Sequence, residues 1–173
     1  MNKILIIYST TDGQTKYICE KIKQFSKKGE LIKIISLDNA ANENLKSYSK
    51  IIIGASIRYG KHSKKIYSFI KTNKNILETK KNAFFSVNVV ARKPEKNNPD
   101  TNPYIKNFLK QSVWKPKILA VFAGKVDYPN YSFFNKLVIR FIMYLTKGPT
   151  DTSKSYEFTD WKKVQEFTKK IFN

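Results

Sequence analysis

Apolar, β-branched runs of strand length recur along the chain at Lys3–Tyr8 (KILIIY), Leu31–Leu37 (LIKIISL), Lys50–Ser56 (KIIIGAS), Asn82–Val90 (NAFFSVNVV) and Lys117–Gly124 (KILAVFAG). They are continuous rather than alternating, which predicts strands buried on both faces. Between them the spacing turns helical. Tyr17, Ile18, Ile22 and Phe25 mark one face, Ile66, Phe69, Ile70 and Leu77 a second, and Tyr104, Ile105, Phe108 and Leu109 a third. The closing TDWKKVQEFTKKIF predicts a last helix, capped by Thr159 or Asp160, that turns Trp161, Val164, Phe167, Thr168 and Ile171 to the core. Strands alternating with helices imply a mostly parallel sheet covered on both sides. Two connections exceed simple turns, Ala91–Pro103 and Lys125–Phe158.

The 173 residues fit one domain, 1–173, long enough to bury a core. Lys and Arg number 33 against 13 acids, a formal charge of +20. Such a balance ordinarily suggests nucleic acid or an anionic membrane surface. The lysines, however, are scattered among abundant Ile and Asn, as a coding bias would produce, and no nucleic-acid recognition motif accompanies them. No specific nucleic-acid partner is expected. Arginine is scarce (Arg58, Arg92 and Arg140), which gives its positions more weight. The lone Cys19 allows no intramolecular disulfide or CxxC motif and is expected to be a small buried side chain in a reducing cytosol. No apolar run approaches the ~20 residues of a membrane span, and the N-terminus lacks the flanks of a signal peptide. The chain is expected in the cytosol or lying on a membrane.

In an open parallel sheet, ligands sit at the carboxyl ends of the strands where strand order reverses. The stretch STTDGQT, from Ser9 to Thr15, leaves the first strand for the first helix and so falls there. Its hydroxyls, its glycine and the helix start suit a phosphate; the alternative is a plain helix cap made by Asp12. In the phosphate reading, Asp12 turns outward to cap while its N–H faces the anion. GxxxxGK[ST] and GxGxxG are absent. GASIRYG (Gly54–Gly60) and SVNVVARK (Ser86–Lys93) follow the third and fourth strands, so Arg58 and Tyr59 either meet a flat heteroaromatic ring in a glycine-bracketed loop or simply pack and solvate.

The hydroxyl-rich loop is similar to the phosphate loop of flavodoxins, with Asp12 departing from the usual Thr. With IGASIRYG, VARKPEK, Thr101–Asn102, Ala123–Gly124 and TDT followed by YEFTDW, the chain resembles the bacterial flavodoxin-like protoporphyrinogen IX dehydrogenases of haem synthesis over nearly its whole length. The resemblance implies an α/β, flavodoxin-like fold, a five-stranded parallel sheet with helices on both faces and a long apolar insertion after the fifth-strand region. It implies FMN, held at its phosphate by Ser9, Thr10, Thr11, Asp12, Gly13, Gln14 and Thr15. The flavin ring would be flanked by Ala55, Ser56, Ile57, Arg58, Tyr59 and Gly60 and by Ser86, Val87, Asn88, Val89, Val90, Ala91 and Arg92. It further implies six-electron oxidation of protoporphyrinogen IX with menaquinone or ubiquinone as acceptor, on the cytoplasmic face of the inner membrane.

The catalytic acid or base stays unassigned among the candidates Arg58, Tyr59, His62 and Arg92. Arg58, Arg92, Lys93 or Lys61 would pair with the substrate propionates. His62 is either a proton relay or a solvent-exposed loop histidine. The segment Ser132–Gly148, with Lys136, Arg140 and Lys147 at i, i+4 and i+11 on one face, lies in a membrane interface, roofs the flavin or is a buried structural helix. No metal site is expected, and an oligomer is possible. An electron-transfer flavodoxin and an NAD(P)H:quinone reductase on the same fold are the competing readings; the basic charge and the apolar segment speak against the first.

Overall fold

Burial on both faces settles where the strands go. In the computed structural model, which describes residues 3–26 and 29–172, β1 (Lys3–Ser9), β2 (Leu31–Ser36), β3 (Lys50–Ser56), β4 (Lys81–Val87) and β5 (Ile118–Phe122) form one sheet in the order β2-β1-β3-β4-β5. All four pairings are parallel, with Ile6 opposite both Ile34 and Ile52. Strand order reverses between β1 and β3, so the loops after these strands share one crevice.

Alternate residues of each strand feed two cores. Leu5, Ile7, Ile51, Ile53 and Phe84 pack against Leu37 and Ala40 of the short α2 (Leu37–Ala40), Ile66, Ile70 and Leu77 of α3 (Lys64–Thr79), and Ile105 and Phe108 of α4 (Pro103–Gln111). Ile4, Ile6, Ile52 and Phe85 pack on the opposite side against Ile18, Cys19 and Ile22 of α1 (Gln14–Phe25) and Val164, Phe167 and Ile171 of α6 (Trp161–Phe172). Asp160, not Thr159, caps α6, its carboxylate accepting from the N–H groups of Lys162 and Lys163 at 3.0 and 3.2 Å.

Strand ends differ from the apolar runs wherever a side chain captures backbone. β4 stops at Val87 rather than Val90, because Asn88 Oδ1 accepts from Ala91 N–H at 3.0 Å and coils Val89–Arg92 into a 3₁₀ turn. β2 stops one residue early, where Ser36 accepts from Asn39 N–H at 3.4 Å and starts α2.

The long Lys125–Phe158 connection folds into a two-stranded antiparallel ribbon, β6 (Lys125–Asp127) with β7 (Ser155–Glu157), and between them α5 (Phe133–Leu145). Val126, Tyr128 and Met143 make a third small core, against which Val89, Tyr131, Ile139 and Phe158 pack. Lys147 lies beyond the end of α5, so it does not continue the face of Lys136 and Arg140.

Candidate functional site

The loop after β1 is built to leave donors free. Gly13 takes a left-handed φ of 85° at the N-cap of α1, and among the described residues no side chain caps this helix start. Thr10 Oγ1 accepts from Gly13 N–H at 3.0 Å, which holds the loop's curvature. Asp12, expected as the cap, is not one: Arg58 Nη1 donates to its Oδ2 at 3.1 Å, and a guanidinium is the stronger partner for a carboxylate. Thr15 is fully buried, and its Oγ1 has no partner among the described residues. A buried polar atom left unpaired costs about 1–3 kcal/mol, so this hydroxyl fits a guest that hydrogen-bonds at the mouth of α1. Gln14 Nε2 donates to Thr159 Oγ1 at 2.9 Å and to Glu157 Oε1 at 3.1 Å, tying the loop to β7 and the start of α6.

The loop after β3 ends in a tight hairpin turn. Arg58 and Lys61 exchange both backbone hydrogen bonds, at 3.0 and 3.1 Å, around Tyr59 and Gly60. Both central residues have positive φ, 47° and 78°, as a type I′ turn requires. Gly54 does not bracket a ligand, as its place in the sequence suggested. It lies within β3, and a Cβ there would fall 2.2 Å from Phe85 Cζ, so the aromatic ring of the neighbouring strand takes that space.

After β4, Ser86 and Asn88 face a buried polar chain. His62 Nε2 lies 2.9 Å from Ser86 Oγ, and Asn88 Nδ2 donates to the same oxygen at 3.3 Å. The Ser86 hydroxyl thus joins the imidazole to the Asn88 amide in one buried chain. Burial between the edges of Phe84 and Phe108 pushes the His62 pKa down to about 4. His62 is thus neither a solvent-exposed loop histidine nor a group at the cavity wall. Arg92 is also turned away: Nη2 donates to Thr146 O at 2.8 Å and Thr146 Oγ1 at 3.0 Å, and Nη1 to Val89 O at 3.1 Å. It clamps the end of α5 instead of offering a fork to substrate.

These loops enclose a cavity of about 90 Å³ lined by Thr10, Thr11, Asp12, Gln14, Thr15, Ser56, Ile57, Arg58, Tyr59, Val87, Asn88 and Val89. Ser9 lines a separate cavity of about 370 Å³ on the α2 side. Gly13, Ala55, Gly60, Ser86, Val90, Ala91, Arg92 and His62 are not on the wall of the 90 Å³ cavity. Gly124, Lys125, Val126, Tyr131 and Ile139 complete it and were not among the residues singled out by sequence as site residues. Tyr131 is the informative one. Its hydroxyl donates to Asp12 Oδ2 at 3.3 Å, and burial followed by the nearby Asp12 carboxylate pushes its pKa up to about 12. Tyr59 donates to Asn135 Oδ1 at 2.5 Å, a second tie from the turn to α5. A lone aromatic beside Asn130 carries no periodic signal, so the sequence pattern left it in an unassigned connection.

A parallel sheet of this order, with a hydroxyl-lined loop at its switch point, is that of a flavodoxin-type domain, and a flavodoxin domain model matches residues 5–153. The fold resembles oxidised Flavodoxin 1 from Bacillus cereus (15% identity, TM-score 0.54, covering 98% of this chain and 97% of that one). It also resembles a flavodoxin from the domain Archaea (16% identity, TM-score 0.51, covering 98% and 96%). Sequence relatives are nearer. The chain is 39% identical over 173 residues to the protoporphyrinogen IX dehydrogenase (quinone) of Escherichia coli strain K12, covering 98% of this chain and 94% of the relative. It is 41% identical over 167 residues to the protein of that name from Leishmania major, covering 95% and 72%. The chain belongs to the flavodoxin-domain protoporphyrinogen IX dehydrogenases.

Proposed function

We propose that this protein oxidises protoporphyrinogen IX to protoporphyrin IX, in haem synthesis, with FMN as its cofactor and a quinone as acceptor. The observation that carries the reading is the match to the Escherichia coli relative across almost all of both chains. Six electrons and six protons leave the porphyrinogen, and three quinones become quinols. Thr10, Thr11, Thr15 and the N–H groups at the start of α1 would hold the FMN phosphate; the Thr15 hydroxyl supports this, because it has no partner among the described residues. Ser56, Ile57, Tyr59, Asn88 and Val89 would flank the ring. When bound, FMN supplies hydride acceptance at one face and electron transfer onward. The chain's own contribution is orientation: the I′ turn fixes Arg58 and Tyr59, and the buried His62–Ser86–Asn88 chain fixes the Asn88 amide at the cavity wall.

We further place the protein on the cytoplasmic face of the inner membrane, bound peripherally through α5. Among the described residues no helix is long and apolar enough to cross a membrane. A quinone acceptor is lipid-soluble, and α5 carries Ile139 at the cavity wall and exposed aromatics outside, which supports entry of apolar reactants from a lipid surface.

The test is anaerobic. FMN-loaded protein mixed with protoporphyrinogen IX is expected to bleach the flavin absorbance, and a menaquinone analogue to restore it while porphyrin fluorescence rises above a no-enzyme control. Retention of FMN without bleaching by porphyrinogen, but with reduction by NADPH, would instead make the chain a quinone reductase.

A further inference from the structure

Arg58 and Lys125 are the two cations on the cavity wall. Lys125 is spent within β6, on Asp127 at 2.9 Å. Arg58 is held differently. Its backbone is fixed by the I′ turn, and its guanidinium lies against two aromatic rings, 4.9 Å from the centroid of Tyr59 and 5.8 Å from that of Tyr131. Both rings lie within cation–π range of the guanidinium, whose remaining N–H groups are its in-plane donors. Only Nη1 uses that edge among the described residues, donating to Asp12 at 3.1 Å (Oδ2) and 3.5 Å (Oδ1); Nε and Nη2 have no hydrogen-bond acceptor. The pair is part-open to solvent, with side chains 20% and 33% exposed. Ion pairs in such surroundings are weakly held and exchangeable.

Asp12 thus presents to Arg58 one carboxylate, with a single nitrogen engaged, on a fork shaped to bind a carboxylate through two. Tyr131 adds an O–H to the same oxygen, Oδ2. Arginine, tyrosine hydroxyl and aromatic walls together form a carboxylate receptor whose occupant is the protein's own. The other arginine near the loops, Arg92, is committed to Thr146 and Val89.

We propose that Arg58 is the specificity residue that takes a carboxylate of the substrate, and that Asp12 is an internal stand-in which the substrate's carboxylate displaces. The inference rests on the functional reading above and names how that site recognises its substrate: through a propionate of the tetrapyrrole, on the guanidinium of Arg58. Asp12 then tunes selectivity by competing for the same donors.

The experiment compares protoporphyrinogen IX with its dimethyl ester, which keeps the oxidisable ring but carries no carboxylate. FMN-loaded wild type, Arg58→Gln, Arg58→Lys and Asp12→Asn are assayed with a quinone analogue, FMN content is checked by absorbance, and binding of the product diacid and its ester is followed by porphyrin fluorescence. The readout is the ratio of kcat/KM for the acid over the ester, which general damage to the fold or flavin lowers for both forms and leaves unmoved. Wild type is expected to prefer the acid. Arg58→Gln should lower the ratio on the order of 10- to 100-fold, the worth of hydrogen bonds to a charged group. Arg58→Lys should restore part of it, and Asp12→Asn should raise it; the fluorescence binding ratio should move in the same directions. An Arg58→Gln ratio equal to that of wild type overturns the proposal, as does a lowered ratio in Asp12→Asn. If FMN-loaded wild type oxidises neither form, the functional reading falls and this assignment with it; if it oxidises both without preference, the assignment falls alone.

Discussion

A glycine and a histidine carry the clearest residue-scale consequences. Gly54 exists for Phe85, whose ring atoms lie 2.2 to 2.7 Å from where a Cβ would stand. Gly54→Ala is therefore expected to lower stability by about 1–3 kcal/mol through overpacking, read as a drop in the urea midpoint at constant m. Adding Phe85→Leu should recover part of the loss, since the clash and its relief share one contact. His62 acts through pH. Its pKa falls from 6.5 to about 4 on folding because burial disfavours the charged ring. Between those values the unfolded chain binds a proton that the native state does not, so stability falls as pH drops from about 6.5 to 4. The full shift is worth roughly 3 kcal/mol at most. Replacing His62 with Asn removes this proton, and the stability–pH slope of the variant across that window should be flatter than that of wild type by nearly one proton. An unaltered slope would show that His62 titrates normally.

At the scale of elements, the end of α5 shows how a helix stop is made. Gly148 N–H donates to Met143 O at 2.7 Å and Lys147 N–H to Tyr144 O at 3.2 Å, the paired bonds of a Schellman motif. The left-handed position is Lys147, at φ 56°, rather than the glycine after it. A Cβ at Gly148 would meet the tips of two flexible side chains, Met143 Cε at 2.3 Å and Arg92 Nη2 at 2.8 Å, which would have to shift. Lys147→Gly should relieve about 1 kcal/mol of strain, slowing amide exchange at Thr146 and Gly148 about fivefold. Gly148→Ala should speed it by pushing Arg92 off Thr146.

The same contrast explains what was legible. The five strands and four long helices of the doubly wound core were readable because each buries a contiguous run or a periodic face against the sheet. Strand ends were not, since Asn88 and Ser36 end them with local side-chain bonds that hydropathy does not register. The loop after β1 was legible as a local hydroxyl cluster, whereas the Asp12–Arg58 pair joins residues 46 apart and the Tyr131–Asp12 bond residues 119 apart. His62 became a core residue only once Phe84 and Phe108 closed around it.

For the whole molecule, the distribution of charge and apolar surface decides what α5 can meet. Phe133, Phe134, Phe141 and Tyr144 are 80%, 69%, 61% and 72% exposed, and only Met143 of the helix is buried, so α5 is not a buried structural helix. Lys136 and Arg140 accompany these rings, and no acid occurs from Tyr128 to Thr150. A second copy of a chain at +20 presenting the same cationic helix would be repelled, while anionic lipid satisfies both the aromatics and the charges. Vesicle co-sedimentation is expected to show binding to phosphatidylglycerol-containing membranes and little to pure phosphatidylcholine. Neutralising Lys136 and Arg140 should each cost about 1 kcal/mol of binding, roughly fivefold, and that share should vanish at high salt. Phe133→Ser with Phe141→Ser should remove a larger share that salt does not screen, because each buried phenyl is worth about 1.5–3 kcal/mol. These side chains are already exposed, so thermal stability should hold. Binding by the double serine variant at wild-type strength would assign attraction to the lysines scattered over the surface and leave α5 without a role in it.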